Sequence, residues 1–152
     1  MMKRRGFLAG LVGAAMAPFG VQAADDAERF AEVHASLFRG WRSTEARDEC
    51  GRTYCAKTLQ QARKALQGNC LDFGMVLIDE CAKAGISGLA AVWCRASGQA
   101  HLVVMHTPSG LVADNQVGSV RPMARRPDIE QARIVWAQQG LASWDGQEGR
   151  TW

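Results

Sequence analysis

Between residues 25 and 40 the side chains of Ala27, Phe30, Ala31, Val33 and Leu37 fall largely on one stripe at helical spacing, with Arg29, Glu32 and His34 mostly outside it. The pattern predicts an amphipathic helix stopped by Gly40. Ser43 is placed as an N-cap for a polar, helix-prone stretch that carries Leu59, Ala62 and Leu66 and breaks at Gly68-Asn69. From Cys70 to Ala84 the residues Phe73, Val76, Leu77, Cys81 and Ala84 make a helical face that Met75 and Ile78 widen, so this helix should be buried on most sides. Gly85 ends it. The period then changes. Leu89 to Arg95, Ala100 to Thr107 and Leu111 to Asp114 are short Val-rich runs separated by Ser97-Gly98-Gln99 and Pro108-Ser109-Gly110, which predicts three antiparallel strands. Pro127-Asp128 is expected to open a last helix through Gln139. Helices, then a sheet, then a helix make one α+β domain.

The N-terminus reads differently. Lys3-Arg4-Arg5 precedes an uncharged stretch from Gly6 to Val21 that ends in Val21-Gln22-Ala23, ahead of Asp25-Asp26. Charged, apolar and small-residue regions in that order predict a secretory signal over residues 1–23 and a mature domain over 24–152. Arg4-Arg5-Gly6-Phe7-Leu8 is similar to the twin-arginine signal, with Lys3 where Ser or Thr usually stands. The expected compartment is the periplasm, with no stable membrane anchor once the signal is removed. This placement changes the meaning of the charge. The chain has 18 Lys and Arg against 15 Asp and Glu, and the excess of three lies wholly in the signal. The mature domain is neutral overall and carries no electrostatic footprint for nucleic acid.

Five cysteines in an exported chain leave at least one unpaired. Cys70 follows Asn69, a good N-cap, which puts its sulfur in the first turn of a helix where free amides and the helix dipole favour a thiolate. Acyl transfer by a thiolate also needs a proton carrier and a group that orients it. His101 opens the second strand and Asp114 closes the third. In antiparallel neighbours the start of one lies beside the end of the next, so imidazole and carboxylate can meet. If the face carrying His101, Val103 and Met105 packs on the Cys70 helix, the three groups converge. His106 falls on the other strand face and is expected at the surface. The tryptophans Trp41, Trp93, Trp136, Trp144 and Trp152 are expected as core and tail anchors. No CxxC or HxxxH spacing supports a zinc site, and no metal or cofactor is predicted.

Three stretches carry a resemblance: Gly68-Asn69-Cys70-Leu71-Asp72-Phe73, then Gln99-Ala100-His101-Leu102-Val103-Val104, then Leu111-Val112-Ala113-Asp114-Asn115. The chain resembles the bacterial transglutaminase-like cysteine proteinases, whose pattern is Gly-Asp-Cys-Glu-Asp-Tyr, an Ala-His-hydrophobic strand and an Asp-Asn pair. The best-known members are periplasmic proteases that clip adhesins from the cell surface. The resemblance spans about residues 65 to 120 and implies a papain-like core, with the nucleophile helix packed on a small antiparallel sheet. It implies Cys70 as nucleophile, His101 as general base and then acid, and Asp114 as the group that holds the imidazole. It also implies a protein or peptide substrate, cleaved through a thioester. The acidic residues that flank the cysteine in the family, and there help to bind calcium, are Asn69 and Leu71 here. Only Asp72 is kept, and no calcium requirement is predicted.

One oxyanion donor is expected from the Cys70 amide, with Gln60, Gln61 and Gln67 as unranked candidates for the second. For the other cysteines the favoured pairing is Cys50 with Cys55 and Cys81 with Cys94, the other two connectivities remaining open. Hydrolase and transferase chemistry share the thioester, and a silent binding module of the same fold is the alternative from another class.

Overall fold

The computed structural model describes residues 19–45 and 55–146. Helix α1 (Phe19–Gly40) leads into strand β1 (Arg42–Ser43); α2 (Leu59–Ala65) leads into β2 (Gln67–Gly68), which pairs in parallel with β1. Helix α3 (Cys70–Lys83) follows at once, then β3 (Leu89–Ala96), β4 (Gln99–His106), β5 (Leu111–Ala113), β6 (Arg121–Pro122), a 3-10 turn at Met123–Arg125 and β7 (Ile129–Ala137). The last five strands form one antiparallel sheet in the order β6-β5-β4-β3-β7. The α+β expectation holds, with α3 lying on the sheet. The described α1 begins at Phe19, inside the apolar stretch expected to be removed, and no described helix is long and apolar enough to cross a membrane.

The β3–β4 hairpin closes through Ser97 and Gly98, both at positive φ (49° and 80°), the two-residue connection whose twist matches paired strands. Leu89 faces His106 at one end and Ala96 faces Gln99 at the other. Alternation along these strands separates two apolar clusters. One holds Ala91, Trp93, Leu102 and Val104 with Phe73, Leu77, Cys81 and Trp144; the other holds Ala90, Val92, Cys94, Val103 and Val112, covered by Met105, Met123 and Ile129. Helix α3 crosses the first face at Gly74, where an added Cβ would lie 2.6 Å from Leu102 Cδ2. The glycine lets the helix sit that close to β4.

Three expectations are corrected. Residues 129–137 form β7, an edge strand on β3, and not a helix. Ile134, Val135 and Trp136 are strand-forming types. Their period is hidden because most of β7 is exposed and Gln131, at φ 50°, interrupts the alternation. Ser43 does not cap a helix. It lies in β1, its hydroxyl donating to the Asn115 carbonyl (3.0 Å) and accepting from Asn115 Nδ2 (3.1 Å). The cap belongs to Thr58, which forms a capping box with Gln61. Finally, Cys81 and Cys94 are free thiols. Cys81 belongs to the helix-side cluster and Cys94 to the opposite face, so the sheet stands between the two sulfurs. Cys55 is disulfide-bonded, while Cys50 lies outside the described residues. Trp93, Trp136 and Trp144 are buried as expected, Trp41 is partly buried, and Trp152 lies outside the described residues.

Candidate active site

The start of α3 is built by the residues before it. Asn69 is the N-cap, its side-chain oxygen accepting from the amides of Leu71 (2.9 Å) and Asp72 (3.3 Å). Asp72 reaches back to the Asn69 amide (3.2 Å), completing the capping box. This cap engages the Leu71 and Asp72 amides, not that of Cys70. Asp72 is wholly buried and also accepts from the Lys57 amide (2.7 Å) and ammonium (3.4 Å). Cys70 itself is half-buried, at the positive end of the helix.

His101 and Asp114 are 4% and 1% exposed. His101 Nε2–H donates to Asp114 Oδ1 at 2.8 Å, leaving Nδ1 as the other ring nitrogen. Cys70 interacts with the same ring. Burial disfavours the imidazolium, but hydrogen bonds and charge from Asp114 and Cys70 outweigh it and hold His101 up at about 10. For Asp114 burial again opposes the charge, and the His101 and Arg126 contacts hold the carboxyl down at about 2. The sequence brings the three residues together differently from the simplest packing: the body of α3 lies on the Leu102 and Val104 face, while His101 pairs with Cys94 on the other. The first residue of the helix, Cys70, interacts with the imidazole.

Two neighbours were not legible as site residues. His34 of α1 donates from Nε2 to the Asp114 carbonyl (2.9 Å). Arg126 donates from Nη2 to Asp114 Oδ2 (2.8 Å) and is held by Asp128 through Nε (2.9 Å) and Nη2 (2.7 Å). The only signal for Arg126 was its place before Pro127-Asp128, which the helix reading absorbed. Of the three glutamines considered as oxyanion donors, Gln61 has its side-chain oxygen engaged by the Thr58 amide, and Gln60 is exposed on α2. A groove of about 580 Å³ runs beside the C-terminal half of α3, lined by Leu37, Leu66, Val76 and Lys83, away from Cys70.

His106 is fully buried, correcting its expected surface position; its Nδ1 meets Ser109 Oγ at 2.7 Å and its ring tilts against Phe30. Burial pushes both His34 and His106 down, against the Asp114 backbone bond for the first and the Asp26 charge for the second. On unfolding these rings take up protons at the ordinary 6.5, so their contribution to stability falls as pH drops below that value. His101 acts in the opposite sense: its contribution is full below 6.5 and is lost as pH rises through about 10. Asp114 contributes above 3.8 and loses that contribution as pH falls through about 2. Melting temperature should therefore peak near pH 6.5, and His34→Gln or His106→Gln should flatten the acid limb. A profile flat from pH 5 to 9 would contradict this reading.

No family model and no curated protein matches the chain. Solved structures do. An EGTA-treated Legionella pneumophila LapG superposes with TM-score 0.60 at 18% identity, over 72% of this chain and 61% of that one. The calcium-bound form gives 0.60 at 17%, over 82% and 74%. A further LapG structure gives 0.63 at 15%, over 81% and 70%. The chain shares the fold of LapG and spans about three fifths of the first of these chains.

The calcium of that relative raises the question of a cation beside Cys70. The side chains here do not fit one. The Asn69 oxygen is engaged by two amides, Leu71 is apolar, and Asp72 already faces two amides and the Lys57 ammonium. Among the described residues no group of three or more His, Cys, Asp or Glu side chains is arranged to hold a metal ion.

Proposed function

We propose that this chain is a thiol-dependent amide hydrolase acting on a protein or peptide, exported to the periplasm. The reading is carried by one observation: the buried His101, bonded to Asp114, shares its ring with Cys70 at the start of α3. The Cys70 sulfur attacks the amide carbonyl while the imidazolium gives its proton to the departing amine, leaving a thioester. His101, then neutral, takes a proton from water as that water attacks the thioester, releasing the acid and restoring the thiolate–imidazolium pair. Asp114 holds the ring and its charge. The Cys70 amide, outside the Asn69 cap, is free of that competition to donate to the oxyanion. The fold shared with LapG supports the same class, and the Lys3-Arg4-Arg5 start supports export.

Iodoacetamide applied to the purified chain without reductant tests this. Cys70 should be labelled well ahead of Cys81 and Cys94, both fully buried, with burial the main cause that pushes their thiols up to about 12. Equal labelling of the three, or labelling of a pair, would remove the hydrolase reading and leave a binding module or a thiol exchanger in its place.

A further inference from the structure

A thiol, an imidazole and a carboxylate suffice for the chemistry above, yet the structure adds a fourth buried group. Arg126 is 6% exposed and its guanidinium lies between two carboxylates, with Asp114 on the inner side and Asp128 on the outer. The two oxygens of Asp114 are divided. Oδ1 accepts from His101 Nε2 (2.8 Å) and the Gln116 amide (2.9 Å); Oδ2 accepts from Arg126 Nη2 (2.8 Å). A carboxylate pinned at both oxygens cannot rotate about its terminal bond. Its Oδ1 therefore stays aimed at Nε2, and the ring stays turned with Nδ1 as its other nitrogen.

The guanidinium is itself fixed. Nε and Nη2 bind Asp128 as a fork, and the Arg126 amide donates to the Met123 carbonyl (3.0 Å), tying the 3-10 turn to the site. Charges alternate along the line from Asp128 through Arg126 and Asp114 to His101. The titratable and charged groups facing it are Cys70 from α3, Cys94 from β3, and His34 from α1 through the Asp114 carbonyl.

We propose that Arg126 is a positioning residue of the hydrolase site, orienting His101 through Asp114, with Asp128 holding Arg126 in place. The proposal rests on the reading of Cys70 and His101 given above. Lysine could keep the charge but not the planar fork, so the role asks for arginine.

The test compares the pH profile of Cys70 alkylation by iodoacetamide in the full chain, Arg126→Met, Arg126→Lys and Asp128→Asn, with melting temperature measured alongside. Arg126→Met should slow labelling at pH 7 by roughly tenfold, toward the rate of an unassisted thiol that is only a few per cent thiolate there, and shift the pH profile toward that of such a thiol. Arg126→Lys should recover part of the rate, and Asp128→Asn should move the profile less but in the same direction. If Arg126→Met does not fold, the Lys and Asn variants carry the test by the same shift. Lower melting temperature with an unchanged pH profile would overturn the proposal and leave Arg126 a structural brace. A wild-type chain whose Cys70 shows no preferential labelling would instead remove the hydrolase reading, and the positioning role with it.

Discussion

Replacing His101 by alanine should slow iodoacetamide labelling of Cys70 on the order of 10–100-fold at pH 7, because an unassisted thiol is only a few per cent thiolate there. In the intact site the ring is protonated over the whole neutral range, since Asp114 and Cys70 outweigh the burial that opposes its charge. The advantage in labelling over a chain without the ring should persist while that charge persists and be lost as pH rises through about 10. Without the ring, the rate should rise about tenfold per pH unit below the ordinary thiol range. Asp114→Asn is expected to fall between the two. The amide oxygen can still accept from Nε2, but the charge that holds the imidazolium is gone, and the Arg126 cation is left facing a neutral group. Mass-spectrometric labelling kinetics from pH 5 to 9 measure all three chains. Superimposable profiles for wild type and His101→Ala would show that the two side chains do not act on each other.

The second large effect concerns stability. Asp72→Ala should cost about 2–4 kcal/mol, from the buried amides left without an acceptor and the loss of a helix cap. It strips the acceptor from the Lys57 and Asn69 amides and from the Lys57 ammonium, and it ends the capping box of α3. Gly68→Ala should be destabilising for a related reason. A Cβ at Gly68 would lie 2.5 Å from Asp72 Cβ and 2.8 Å from its Cγ, and this short, wholly buried side chain has nowhere to move. About 1–3 kcal/mol is the usual cost of such overpacking. Because both changes act at one place, they should not add: with Asp72 already alanine, the extra methyl at Gly68 loses its main obstacle. Urea unfolding of the two single variants and the double variant supplies the cycle. Strict additivity would mean that the added methyl and the Asp72 side chain do not act on each other.

What could be read from the sequence was what is local. The Asn69 cap, the helix from Cys70, the Ser97-Gly98 turn and the strand that carries His101 each follow from residues within a few positions of one another, and all four stand in the structure. Alternation alone could also have placed Cys94 correctly, since the residue that pairs with His101 must share its face. The pairing with Cys81 considered which elements touch and not which side of the strand looks at the helix. The rest depended on partners far along the chain. Lys57 reaches Asp72 across 15 positions, and His34 reaches the Asp114 carbonyl across 80. A histidine has an apolar body and can be buried once one nitrogen is bonded, as at His106, and no hydropathy pattern marks that. The strand β7 was lost because an exposed edge has little burial to print a period on its sequence.

The short connections that run from β3 through β6 to the 3-10 turn also bear on how the molecule is assembled. His101 and Asp114 are 13 residues apart, and Asp114 and Arg126 are 12 apart. Loops of that size close with little entropy, and neighbouring hairpins need no distant segment to bring these side chains together. The proton-handling half of the site thus belongs to one continuous stretch of chain that can form early, while the sulfur arrives with a separate helix. In kinetic terms the thiol meets its imidazole only when helix docks on sheet, so a chain halted before that docking would carry an inert cysteine.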